Sequence, residues 1–153
     1  MEKTVYVVGT LHRYQGTYNI KGRATATKEE LEAFKSFLKE IACQHRIRFV
    51  AEEMTVEALQ KYPHPDLPSG ESIPLQVAED LNLKHKYCDN PHLLDDERER
   101  LWLQELENFN LFPCLFVLGS THADSFPDLL DKSGLKHNLI IKEWKPNGKK
   151  WKK

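Results

Sequence analysis

The sequence predicts an α/β domain built on an open, mainly parallel, doubly wound sheet of about five strands with helices on both faces. Three observations lead there. Apolar runs rich in β-branched and aromatic residues, without strict alternation, have the pattern of strands buried on both faces. Between them lie segments whose apolar residues recur at helical spacing behind capping residues. The two kinds follow one another in the order βαβαβαβαβ, and right-handed crossovers then produce a parallel sheet covered on both sides.

The first strand, Thr4-Val5-Tyr6-Val7-Val8, ends at Gly9. Thr27-Lys28-Glu29-Glu30 is a capping-box signature, and Leu31, Phe34, Phe37, Leu38, Ile41 and Ala42 form one apolar face behind it. The second strand, Ile47 to Ala51, runs into Glu52-Glu53-Met54. From Tyr62 to Ser72 three prolines and a glycine dictate an irregular surface loop, and Ser72 can cap a short helix from Pro74 to Leu81. Lys84 to Cys88 is the third strand, stopped by Asp89-Asn90-Pro91, because the residue before proline is pushed to extended geometry. Asp95 or Asp96 opens a helix through Leu101, Leu103, Leu106 and Phe109. Pro113 precedes the fourth strand, Cys114 to Leu118, which also ends at a glycine, Gly119. Ser125 and Pro127 start the last helix, Gly134 stops it, and Lys136 to Trp144 is the final strand.

At 153 residues the chain matches one domain of ordinary size. Its 40% hydrophobic and 29% charged residues exclude disordered and collagen-like classes, and no apolar run nears the roughly 18 residues of a membrane helix. The N-terminus lacks the apolar stretch and cleavage site of a signal peptide, which predicts a cytoplasmic location. Cys43, Cys88 and Cys114 are scattered, never Cys-x-x-Cys, and read as reduced thiols. The formal charge of −1 hides an asymmetry: five lysines crowd the last nine residues, and without them the other 144 carry −6. The expected division is an α/β domain over residues 1–144 and a basic tail over 145–153. An acidic body disfavours nucleic acid as partner, although the tail's Lys149-Lys150-Trp151-Lys152-Lys153 resembles nucleic-acid and membrane-surface arms.

Ligands of such sheets bind outside the carboxyl ends of the strands at the switch point. By analogy with order 3-2-1-4-5, the first and fourth strands are neighbours there. Each ends in the same pattern, Gly9-Thr10-Leu11-His12 and Gly119-Ser120-Thr121-His122, so two imidazoles face one crevice. Glu52 and Glu53 end the second strand and Asp89 follows the third. Two imidazoles with one or two carboxylates suit a divalent metal such as Mn, Co or Zn. Without metal, a neutral histidine near a glutamate suits general-base activation of water.

These residues resemble the superfamily that joins TraB/PrgY-type proteins, Tiki proteases, erythromycin esterases and ChaN-type haem-binding lipoproteins. The two Gly-x-x-His motifs carry the likeness, with Glu53-Met54 closing a strand and Ala78-x-x-Leu81-x-Leu83 leading to Asp89, from Gly9 to about Ile141. The resemblance implies His12, Glu53 and His122 as the catalytic set and His12, Glu53, Asp89 and His122 as metal ligands. Glu52 is the alternative to Glu53, because strand alternation sends only one of them to the crevice. It also implies peptide cleavage, ester hydrolysis or haem binding as activities, of which the expectation drawn is a hydrolase acting on a small-molecule or peptide substrate.

Each reading has a plainer counterpart. Glu52 and Glu53 suit the start of a helix suggested by Thr55-Val56-Glu57-Ala58-Leu59, and Asp89-Asn90-Pro91 suits a simple turn. The long connection after His12 is a candidate binding loop, with Arg13 and Tyr14 as substrate contacts. Arg98 and Arg100 sit among Asp95, Asp96, Glu97 and Glu99 and read as a solvated helix face. His45, His64, His85, His92 and His137 read as structural. Two rival functions stay open: a non-enzymatic small-molecule or nucleotide-binding module using the same crevice, and an interaction domain using the 62–70 loop or the tail. A homo-oligomer is compatible with all of them.

Overall fold

Among the described residues every strand pairing is parallel, and five strands form one sheet. The computed structural model describes residues 3–18 and 20–146; the basic tail beyond Pro146 lies outside them. In chain order the elements are β1 Thr4–Thr10, α1 His12–Gln15, α2 Lys28–Gln44, β2 Phe49–Glu52, α3 Val56–Lys61, α4 Ile73–Leu81, β3 Lys84–Tyr87, α5 Asp95–Phe109, β4 Cys114–Gly119, α6 Ser125–Lys132 and β5 Lys136–Trp144. Of the two further helices, α1 is a single turn within a segment expected to be a connection, and α3 is the short helix that Thr55 to Leu59 suggest. Among the described residues no helix is long and apolar enough to cross a membrane.

The caps form as their chemistry requires. Thr27 Oγ1 accepts from the Glu30 N–H at 3.1 Å while Glu30 accepts from the Thr27 N–H at 2.9 Å, a complete capping box. Ser72 Oγ accepts from Leu75 N–H and starts α4. Thr55, not an acid, caps α3 through the Ala58 N–H. Glu52 and Glu53 are thereby left to other partners.

The strand order corrects the expectation. It is β3-β2-β4-β1-β5, so β4 lies between β1 and β2 rather than beyond β1. The chain leaves β1 toward one edge, reaches β3, and returns to fill the gap it skipped. The crossovers through α2 and α4 cover one face, where Leu31, Phe34, Ile73 and Val77 pack on Val8, Val50, Leu115 and Val117. Those through α5 and α6 cover the other, where Trp102, Leu106, Phe126 and Leu130 pack on Val7, Ala51, Phe116 and Leu118. Adjacent side chains of β1, β2 and β4 thus serve opposite cores, which is why these strands read as unbroken apolar runs. Because β1 and β4 are neighbours in both orders, the switch-point crevice survives the correction.

The two motif glycines stand one residue out of register, with Thr10 opposite Gly119, and each answers a different close approach. A Cβ on Gly9 would sit 1.9 Å from the Lys142 carbonyl oxygen, where β5 bulges against β1. A Cβ on Gly119 would press at 3.1 Å on both Glu53 Oε1 and His12 Nε2.

Candidate functional site

The carboxyl rim of the sheet brings three predicted residues together. Glu53 is 3% exposed, and its Oε2 lies 3.7 Å from His12 Nε2 and 3.6 Å from His122 Nε2. Its Oε1 accepts from the Gly119 N–H at 2.7 Å. Glu52, one residue earlier, faces the opposite layer. Fully buried, it accepts from Gln15 Nε2 at 3.0 Å and from Ser72 Oγ at 2.5 Å, and meets His85 Nε2 at 2.5 Å. Alternation at the end of β2 thus gives each acid its own network.

Hydrogen bonding fixes the tautomer of His12. The Gln15 amide nitrogen donates to the Glu52 carboxylate and to the Glu53 carbonyl, two groups that only accept. Gln15 Oε1 therefore faces His12 Nδ1, at 2.7 Å, and the proton is on Nδ1. The Nε2 lone pair is left pointing toward Glu53 and the crevice. The spacing that permits this, His12 and Gln15 at i and i+3, exists because α1 makes one helical turn there.

His122 is held in the same sense, but by a carboxylate instead of an amide. Its Nδ1–H donates to Glu99 at 2.7 Å, and Ser125 Oγ donates to the same oxygen at 2.5 Å. The bond to Glu99 raises the His122 pKa above its ordinary value; burial opposes this, and the nearby Glu53 reinforces it. A histidine whose folded pKa is raised contributes stability that is full below its unfolded value, about 6.5, and lost as pH rises through the folded value. The expected result is that thermal stability falls as pH rises above about 6.5, and that Glu99→Gln flattens part of that slope. Equal slopes in wild type and variant, followed by melting, would remove the Glu99–His122 pair as its cause.

Arg98 is the residue the sequence reading undervalued. It is not on a solvated face: its side chain is 16% exposed, and its Nε and Nη2 grip Asp89 at 2.9 and 3.0 Å. Nη2 also donates to Glu53 Oε2, and Nη1 to Asp95 at 3.1 Å. Burial works against the guanidinium charge, yet Asp89, with Glu53 and Asp95, raises its pKa beyond the usual arginine value. Trp102 completes the cluster by donating Nε1–H to Asp89 at 3.1 Å and meeting the His122 ring edge-on.

The other predicted residues separate. Arg13 borders a cleft that opens on His12. Tyr14 does not; it is 5% exposed and packs edge-on against Trp144, so its ring is core, not a substrate contact. Asp89 stays near the rim, but Arg98 and Trp102 occupy its oxygens. That decides the fit of a divalent metal. Both Glu53 oxygens and both Asp89 oxygens already accept bonds, one from the Gly119 N–H and three from Arg98, whose fixed positive charge lies beside the acids. Among the described residues no group of three or more His, Cys, Asp or Glu is arranged to hold an ion. Engaged by the arginine and the backbone, the two carboxylates do not fit a divalent ion as they stand.

Gln15, Arg98 and Glu99 complete the site without having been singled out. The available signal was helical phase: Arg98 lies one turn before Trp102 and two before Leu106, on the buried stripe of α5. Against known proteins, no family model, curated protein or solved structure matches the chain.

Proposed function

We propose that the chain is a metal-independent hydrolase of ester or similar acyl bonds, with His12 as general base. What supports this is the orientation of His12: Nδ1–H is held by Gln15, and Nε2 is turned to Glu53, with the side chain 43% exposed beside the cleft. Water bound at Nε2 gives its proton to that nitrogen as its oxygen bonds to the substrate's carbonyl carbon. The tetrahedral adduct then collapses; the leaving oxygen departs with the electron pair of the broken bond and takes the proton back from His12.

Glu53 is the counter-charge for the imidazolium formed between these steps, at a separation of 3.7 Å. His122 and Arg98 act through Glu53, fixing its carboxylate, and are positioning residues. The test is turnover of para-nitrophenyl acetate and butyrate, measured against buffer and against the His12→Asn variant. Hydrolysis that depends on His12 is expected. No turnover above buffer, or turnover that survives the substitution, would overturn the reading.

A further inference from the structure

The cleft beside His12 contains two arginines that the network around Glu53 does not use. It encloses about 410 Å³ and is lined by His12, Arg13, Arg23, Ser120, Thr121 and Ile20. Arg13 lies 5.2 Å from the Tyr14 ring centroid, an aromatic contact that leaves its charge unneutralised. Among the described residues, neither Arg13 nor Arg23 has a carboxylate within ion-pair distance. The other cations near the rim behave differently: Arg98 meets three acids, and Lys142 meets Asp124. In a body of net charge −6, two unneutralised guanidiniums sharing one concavity with hydroxyl donors is an arrangement for an anion.

We propose that this cleft binds the anionic end, a carboxylate or phosphate, of a substrate whose scissile bond lies at His12. The placement of the bond rests on the hydrolase reading; the anion site rests on the cleft alone. Guanidinium forks pair with planar carboxylate or phosphate oxygens, and Ser120 and Thr121 offer hydroxyl donors to the same group. Ile20 supplies an apolar wall for the carbon skeleton that joins the anion to the reacting carbonyl. The substrates selected are half-esters of dicarboxylic acids, or esters bearing a phosphate.

Two measurements on the full chain test this. The first compares kcat/KM for mono-para-nitrophenyl succinate with that for the neutral butyrate ester. A preference for the charged ester of about tenfold or more is expected, and Arg13→Met with Arg23→Met should reduce that ratio by about tenfold. Arg13→Lys with Arg23→Lys keeps the charge and should restore part of the ratio, separating charge from fork geometry. The second titrates succinate, inorganic phosphate and neutral succinamide calorimetrically, and the tighter of the two anions identifies the source. Turnover with no preference, unchanged in the arginine variants, would overturn the anion site and leave the hydrolase standing. Anion binding that requires the arginines, with no turnover of any ester, would overturn the hydrolase and leave a binding module. Succinate and phosphate binding no better than succinamide, or unaffected in the methionine variant, would also overturn the anion site.

Discussion

Arg98→Met is expected to lower the unfolding free energy by about 3–5 kcal/mol, because removing one partner of a buried ionic cluster leaves the others uncompensated. Two carboxylates are stranded: Glu53, 3% exposed, and Asp89, which loses two of its three side-chain bonds and keeps the one from Trp102. For a chain of this length the cost corresponds to a drop in Tm of roughly 10 °C. Methionine preserves much of the volume beside Trp102, so packing loss is small and the charge effect dominates. Adding Glu53→Gln and Asp89→Asn to Arg98→Met should recover part of the loss, since amides need no counter-ion. A cost below about 1 kcal/mol, the level of an exposed pair, would show that the cluster is solvated in solution.

His12→Ala is expected to reduce kcat/KM for ester hydrolysis by about 10²–10⁴-fold, the usual contribution of a positioned general base. The companion variant Gln15→Leu tests whether tautomer control matters. It removes the acceptor of the Nδ1 proton without touching Nε2, so the imidazole can place its proton on either nitrogen. The expected loss is about tenfold, or about 1.4 kcal/mol, in kcat with KM little changed. Gln15→Glu keeps an acceptor but brings a second carboxylate against Glu52, and should change the pH profile as well as the rate. If Gln15→Leu alters only the melting temperature, Gln15 is structural and the proposed orientation of His12 is wrong.

Much of the fold was legible because local chemistry determines it. Val5 to Val8 and Cys114 to Leu118 show no alternation because each side chain meets a core on its own face. Thr27 and Ser72 announce helices because their oxygens must satisfy amides that have no partner within the helix. Strand order is different in kind. Whether β4 lies beside β1 on its outer or inner flank depends on which gap the first crossover leaves, and no residue of β4 encodes that by itself.

The site shows the same division. His12, Glu53 and His122 were visible because a strand end is where a sheet presents side chains. Tyr14 was misread because the turn of α1 was read as open loop, and one helical turn carries its ring inward to Trp144. Arg98 was misread because its near neighbours in sequence, Asp95 and Asp96, suffice to explain a charged helix. Its decisive partners, Asp89 and Glu53, are 9 and 45 residues away.

The central position of β4 also governs how the molecule comes into being. β1 and β2 never pair with each other; each pairs with β4. A growing chain that has emerged only through α5 holds β1 without a neighbour and β2 with β3 as a two-stranded ribbon, which is marginal in water. The strand that closes the sheet also carries the Gly119 amide that receives Glu53, and His122 follows three residues later. Sheet and rim therefore depend on the same late strand: a chain that stops at α5 lacks both the middle of its sheet and the backbone amide that receives Glu53.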